Sequence, residues 1–379
     1  MEGAKTMGYQ RKAAALVACM LAIGVASMPQ DASAQCDITP LPQQTALSRP
    51  IPLGISGGNI NSFFKNGKVT GCFSGTLGSM VQDTYGNQYI LSNNHVLADQ
   101  NKAKPGQLIV EPGLIDVECL KAPSNAVATF SRTIRLKFGG PKNTVDAAIA
   151  AVEEGEVSSD ILNIGEIASS PATPTLGMSV QKMGRTSCLT SGVIAALDGI
   201  VKVNYSEKKK PKMAKFINQI FVTGSTATPT FSAAGDSGSL ILSQGDCPQP
   251  VALLFAGFAD GTTIANPISE VLSDLGVSMV GSCTTSEAPA TASADVLAAN
   301  VGMSKEVVAS AAAVRDRHED QLMSIPGAVG TAIGIGDQPG QPAIEVYLDK
   351  LTPEAQAGAP KAVEGIAVKL IESGEAVAY

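Results

Sequence analysis

Short apolar runs, each closed within a few residues by Gly, Pro, Asn, Asp or Ser, follow one another from Gly75 to Asn266. Runs of that length are too brief to bury one face of a helix over several turns, but each suits a strand. The first series comprises Gly75–Gln82, the turn Tyr85-Gly86-Asn87, Gln88–Ser92, Gln107–Val110, Ala126–Phe130, Ile134–Phe138 and Ala147–Val152. Pro171, Pro174 and Gly177 interrupt the pattern. A second series then runs through Ser179–Met183, Gly192–Leu197, Ile200–Tyr205, Phe216–Thr223, Ser239–Ser243, Val251–Ala256 and Thr263–Asn266, with a short helix expected at Val271–Leu275. A composition of 44% hydrophobic residues, 38 Gly, no Trp and 4% aromatics suits a turn-rich, mostly β protein with a sizeable core. Two strand sets of similar size predict two barrels side by side, with any site in the cleft between them.

The flanks differ in character. Arg11 and Lys12 precede an almost wholly apolar stretch, Ala13–Ala26, and Ala32-Ser33-Ala34 is a small-x-small cleavage signal. Residues 1–34 are therefore read as a signal peptide, with an uncleaved anchor as the alternative, and the protein is expected to be secreted or periplasmic and free of the membrane after cleavage. That segment holds three basic and two acidic residues, so its loss moves the net charge from −7 to −8. An acidic chain has no electrostatic reason to bind nucleic acid. The Lys-rich stretch 207–215 reads as a solvated hairpin tip. Outside the signal, six cysteines (Cys36, Cys72, Cys119, Cys188, Cys247, Cys283) form an even set in an exported chain, which predicts disulfides of open connectivity. Their spacing matches no metal site, and neither a metal nor a cofactor is expected. Residues 35–283 are assigned to the double barrel and 284–303, rich in Ala, Ser and Thr, to a linker. Residues 304–379 form a small α+β unit: a helix over Ser304–Ser324, a hairpin of Ala328–Ile335 with Ala343–Leu348, a helix at Lys361–Ser373 and a short terminal strand.

Acyl transfer by a hydroxyl needs a base, an acid that orients the base, and N–H donors for the developing oxyanion. Ser237 lies in Gly235-Asp236-Ser237-Gly238-Ser239, just before the apolar Leu240–Leu242. Glycines on both sides permit a tight turn that presents the hydroxyl and turns the N–H groups of Gly235 and Ser237 inward. The chain has only two histidines. His318 falls on the apolar side of the C-terminal helix and reads as a hydrogen-bonded boundary residue, so His95, in Ser92-Asn93-Asn94-His95-Val96, is the base. Asp146 opens the apolar Ala147–Val152 run, where a buried carboxylate needs a partner such as an imidazole N–H. Asp83, Asp99 and Asp116 sit in turn-like surroundings. The order His, Asp, Ser differs from that of α/β-hydrolases and of subtilisin-like proteases.

These segments, together with Gly184-Arg185-Thr186 through Thr190-Ser191-Gly192, resemble the chymotrypsin/trypsin-like serine peptidase family, in particular its bacterial branch, over residues 70–280. The resemblance implies two six-stranded Greek-key β-barrels with the site between them, no cofactor, and a peptide or protein as substrate. By the same resemblance His95 is the general base, Asp146 its orienting acid, Ser237 the nucleophile, and Gly235 with Ser237 the oxyanion hole. It places Phe231 at the floor of the primary pocket and Phe255-Ala256-Gly257 as the strand that pairs with extended substrate. Without an acid at Phe231 or a spare histidine, small or medium apolar residues are the expected preference. Asn94 and Ser239-Leu240 depart from the family pattern and bear on cleft shape. The stretch Ile325–Gly330 resembles a small domain found with bacterial trypsin-like proteins, which implies a folding, docking or regulatory module, or an inhibitory pro-domain. A silent binding protein and an esterase-like hydrolase are the alternatives to an endopeptidase. Oligomeric state is not readable from the sequence.

Overall fold

A computed structural model describes residues 42–66, 69–206, 211–284, 303–338 and 340–379. The signal segment 1–34 and nearly all of the expected linker 284–303 lie outside the described residues, as do Cys36 and Lys208–Lys210 of the Lys-rich stretch.

Each of the two strand series closes on itself. In the first, Ile55–Asn59, Gly75–Leu77 with Ser79–Gln82, Gln88–Ser92, Leu108–Val110, Ala126–Thr133 and Ala148–Val152 are the six staves. Numbered along the chain they neighbour one another in the order 1-2-3-6-5-4, and the fourth pairs back with the first. The second stave bends at Gly78, which lets it pair with one neighbour through Gly75–Leu77 and with the other through Ser79–Gln82. The second barrel is built from Ser179–Gly184, Cys188–Asn204, Met213–Gly224, Leu240–Ser243, Pro250–Phe258 and Thr263–Pro267. Its order is the same, closing where Leu240–Ser243 returns to Ser179–Gly184. Two barrels of identical Greek-key order therefore follow from two strand series of similar spacing. Gly192–Leu197 and Ile200–Tyr205, expected as separate strands, are parts of one long bulged strand, Cys188–Asn204.

The expected strand Ile134–Phe138 is instead a loop. Side-chain amides replace its ladder: Asn101 accepts from the Leu136 N–H and Asn143 from the Lys137 N–H, at 2.9 and 2.8 Å. The helix at the end of the second barrel is longer than expected, Ile268–Leu275, and ends on the left-handed Gly276.

The C-terminal unit has its own core, in which Val314, Leu322, Ile333, Ile344 and Val346 meet. Its sheet nevertheless continues the second barrel, because Leu197–Val201 pairs antiparallel with Gly330–Ile333. The expected helix over Ser304–Ser324 is two helices, Lys305–Arg317 and Glu319–Met323, broken at His318. The expected helix at Lys361–Ser373 is corrected to a strand, Ile366–Glu372, parallel to Pro342–Leu348 and led in by the pair Ala362–Val363. Glu364 and Gly365 both take positive φ, which a helix forbids, and the free edge of Pro342–Leu348 favours the β-branched Ile366 and Val368.

Disulfides join Cys72 to Cys119 and Cys247 to Cys283, and Cys188 is also disulfide-bonded. Among the described residues no helix is long and apolar enough to cross a membrane.

Candidate active site

His95 stands in a single helical turn, Asn94–Leu97, that follows the strand Gln88–Ser92. Asp146 precedes the neighbouring strand Ala148–Val152, which pairs with Gln88–Ser92 in register Ala148–Ser92. That pairing brings base and acid together. His95 Nδ1 lies 2.6 Å from Asp146 Oδ2, and the His95 main-chain N–H donates to Oδ1 at 3.3 Å. Asp146 is wholly buried, and its main chain is held by Asn93 Nδ2 on the carbonyl (2.7 Å) and by Asn266 Oδ1 on the N–H (2.9 Å). A buried carboxylate is tolerable only with such partners.

One partner escaped the sequence reading. Tyr205, at the far end of the second barrel's long strand, donates its hydroxyl to Asp146 Oδ2 at 2.7 Å. Burial, with the Asp146 charge beside it, pushes this phenol well above the usual range, so it remains a donor. Its ring meets His95 edge-on at 5.8 Å and Phe138 at 5.7 Å. The only hint in the sequence is an aromatic residue ending an apolar run in a chain with six Tyr.

Ser237 occupies the turn before Leu240–Ser243, and the flanking Gly235 and Gly238 take φ of +100° and +96°. These values are open to glycine and strained for other residues. Two braces fix the turn. From the first barrel, the Thr76 N–H donates to Ser237 O (2.7 Å) and Thr76 Oγ1 to Gly235 O (3.0 Å). From beneath, Asp236 accepts the N–H groups of Thr186 (2.8 Å), Ser187 (3.1 Å) and Ala233 (2.9 Å). The fully buried Lys182 faces it, with Nζ 3.4 Å from Asp236 Oδ2. Burial lowers the Lys182 pKa, and the Asp236 carboxylate opposes that shift.

The structure brings His95 and Asp146 into contact but does not join Ser237 to His95. Ser237 Oγ donates to Phe255 O at 3.0 Å, while His95 Nε2 lies 2.8 Å from Tyr379 O. Phe255 and Gly257 lie in the strand Pro250–Phe258, with the Phe255 ring turned inward against Phe216 at 4.6 Å. Phe231 has no exposed surface. It is fully buried in the second barrel's core, against Gly192, in the cluster on which Tyr379 packs. Asn94 is buried and ties the His95 turn to Ile134 O at 2.8 Å, so it braces the loop instead of shaping the cleft. A cleft of about 440 Å³ opens beside His95, lined by Phe64, Phe73, Ile115, Arg185 and Tyr205. Among the described residues no cluster of His, Cys, Asp and Glu could hold a metal ion.

His318 bridges Gln321 Oε1 (3.2 Å) and Glu364 Oε1 (3.0 Å), a boundary residue away from the cleft. Of the Lys-rich stretch, Lys212 lies over the Phe138 ring at 3.9 Å and Lys215 is ion-paired with Glu319, so neither is simply solvated.

Two closed barrels of like order, with a histidine–carboxylate pair and a glycine-flanked serine at their junction, define a protein of the chymotrypsin-like serine-protease fold. Among solved structures the chain is similar to a glutamic acid specific serine protease with a histidine triad in substrate binding (18% identity, 61% of this chain and 100% of that one, TM-score 0.41). It is also similar to Thermobifida fusca Protease A (17%, 61% and 100%, 0.39) and to Cellulomonas bogoriensis chymotrypsin (18%, 61% and 100%, 0.38). Residues 143–266 match the model of the Nal1 C-terminal domain family. No curated protein matches the chain.

Proposed function

We propose that this chain is a serine endopeptidase, exported to an oxidising compartment, that cleaves peptide bonds through an acyl-enzyme on Ser237. The observation that carries this reading is the Asp146–His95 pair at 2.6 Å, set at the junction of two barrels beside the braced Ser237 turn. His95 Nε2 takes the Ser237 proton as Oγ attacks the carbonyl carbon, and Asp146 fixes the Nδ1–H tautomer and steadies the imidazolium. The N–H groups of Gly235 and Ser237 receive the developing oxyanion. His95 then gives the proton to the leaving amine, and water repeats the sequence to release the acid and regenerate Ser237. Tyr205 acts as a positioning residue through Asp146. Reaction requires Ser237 Oγ to leave Phe255 O and His95 Nε2 to leave Tyr379 O, so that the two can meet. Two disulfides within the described residues support an oxidising compartment.

Prolonged treatment with a fluorophosphonate should label the chain at Ser237, and neither Ser237→Ala nor His95→Ala should label at a comparable rate. A folded chain that stays unlabelled would leave the silent binding protein in its place. Labelling with ester cleavage and no peptide cleavage would identify the esterase-like hydrolase.

A further inference from the structure

The cleft of this protein is already occupied by its own chain. The strand Ala376–Ala378 runs antiparallel to Pro250–Phe258, with Phe258 opposite Ala376, Gly257 opposite Val377 and Ala256 opposite Ala378. Its other edge pairs with Val203 and Asn204 of the second barrel's long strand. The Tyr379 N–H points at Phe255 O, 3.3 Å away, and the Tyr379 main-chain oxygen lies 2.8 Å from His95 Nε2. An extended segment paired with the cleft strand, with the main-chain oxygen of Tyr379 beside the base, has the form of the acyl half of a bound substrate.

The Tyr379 side chain reports on the pocket. Its ring lies across Gly257, where even a methyl carbon would come within 1.9 Å of the phenol oxygen. The ring packs against the second barrel's core, whose polar groups nearby are the hydroxyls of Ser232 and Thr263, joined to each other at 2.5 Å. The pocket is therefore apolar along its walls and hydroxyl-bearing at its end. Ser237 has no exposed surface with the segment in place. The open 440 Å³ cleft is lined by His95 and Tyr379 and is the space left for the other half of a substrate.

The segment is held by its root as well as by its tip. Gly374, at φ +74°, turns against Ala259, Ser373 N–H donates to Leu348 O at 2.9 Å, and Ala376 is wholly buried in the barrel's aromatic cluster. Asn204 Nδ2 reaches Glu375 at 3.1 Å. The C-terminal sheet thus delivers residues 375–379 to the cleft over a short, fixed path.

We infer that residues 375–379 are an intramolecular ligand of the substrate cleft, with Tyr379 in the primary pocket, and that the pocket selects tyrosine on the acyl side of the bond. The selectivity rests on the endopeptidase reading given above; the seating of the segment does not. Tyrosine is larger and more polar than the small or medium apolar residue expected from the sequence. The seat of the Tyr379 ring across Gly257 and against the second barrel's core supplies the reason, since it is built around an aromatic ring.

The test compares the full chain, Tyr379→Ala, and a chain ending at Gly374, each checked by circular dichroism for a native melt. Tyr379→Ala keeps the strand if the shorter chain does not fold. Binding of the free peptide Glu-Ala-Val-Ala-Tyr to the shorter chain carrying Ser237→Ala is read by fluorescence anisotropy and needs no catalysis. A tethered segment works at an effective concentration on the order of 1 mM, so a peptide Kd of about 0.1 mM predicts about tenfold slower fluorophosphonate labelling of the full chain. Labelling should rise by that factor in both altered chains, and added peptide should suppress it again. The peptide ending in Ala should bind about tenfold more weakly or worse, because it loses the buried ring. Equal labelling of all three chains, or no peptide binding, overturns the inference. Peptide binding that discriminates Tyr from Ala, with no chain ever labelled, keeps the seat and removes the hydrolase.

Discussion

Replacing Tyr205 by Phe removes one oxygen from the interior and tests how the acid of the site is held. The Asp146 carboxylate accepts three hydrogen bonds: His95 Nδ1 at 2.6 Å, Tyr205 OH at 2.7 Å and the His95 N–H at 3.3 Å. The phenol takes one of the two short ones, and it reaches across from the second barrel to an acid of the first. A hydrogen bond to a buried charge is worth about 1.5–3 kcal/mol, and water cannot replace it at a wholly buried carboxylate. If that energy is expressed fully where His95 becomes an imidazolium, kcat falls about 10- to 100-fold, at 1.36 kcal/mol per tenfold. KM should stay near its starting value, because Tyr205 holds Asp146 rather than the substrate. The same loss should lower Tm by several degrees. The assay is peptide hydrolysis with kcat and KM separated, alongside a calorimetric melt. Unchanged kcat with a lowered Tm would show that the phenol serves only the fold. Unchanged values of both would refute the reasoning.

Glu111 is almost fully buried, accepts the Leu47 N–H at 3.2 Å and lies 3.5 Å from Arg49. Burial outweighs both partners and pushes its pKa from 4.5 to about 7. Between those values the folded chain binds more protons than the unfolded one, so stability falls as pH rises through that window, by on the order of 3 kcal/mol in all. Glu111→Gln should flatten this part of the stability–pH curve and make the chain more stable above pH 7; a slope unchanged in urea melts would count against it. Arg315, 1% exposed, ties the first C-terminal helix to the barrel through Asp198 O (2.5 Å) and Asp198 Oδ1 (3.1 Å). Since Asp198 is partly solvated, Arg315→Met should cost about 2 kcal/mol and speed amide exchange first in Ala328–Ile335. A uniform rise across both barrels would contradict that.

Much of this arrangement was readable in the residues themselves. His95 was singled out by scarcity, Asp146 by the apolar run it opens, and Ser237 by glycines whose positive φ the turn requires; the structure sets the first two in contact and leaves the serine turned to Phe255. Strand periods marked both barrels because one face of each strand must be buried. Tyr205 was invisible for a physical reason. Its value lies in a contact 59 residues away along the chain, set by how the two barrels abut. Lys361–Ser373 deceived because Val363, Ala367 and Leu370 also satisfy a helical period, and only the vacant edge at Pro342–Leu348 decides for a strand. The terminal strand was foreseen, but nothing local in Ala376–Ala378 says which edges it joins.

The seam between Leu197–Val201 and Gly330–Ile333 also governs how this chain can be divided. Cutting after residue 284, where the sequence invites a boundary, would strip the partner from a long strand in which Ile200 and Val201 are now buried. The severed barrel would present an unpaired row of N–H and C=O groups to its neighbours, and such a row recruits strands from other molecules. A preparation of the barrels alone should therefore self-associate, and its aggregation would reflect the missing strand rather than any fault in the barrels.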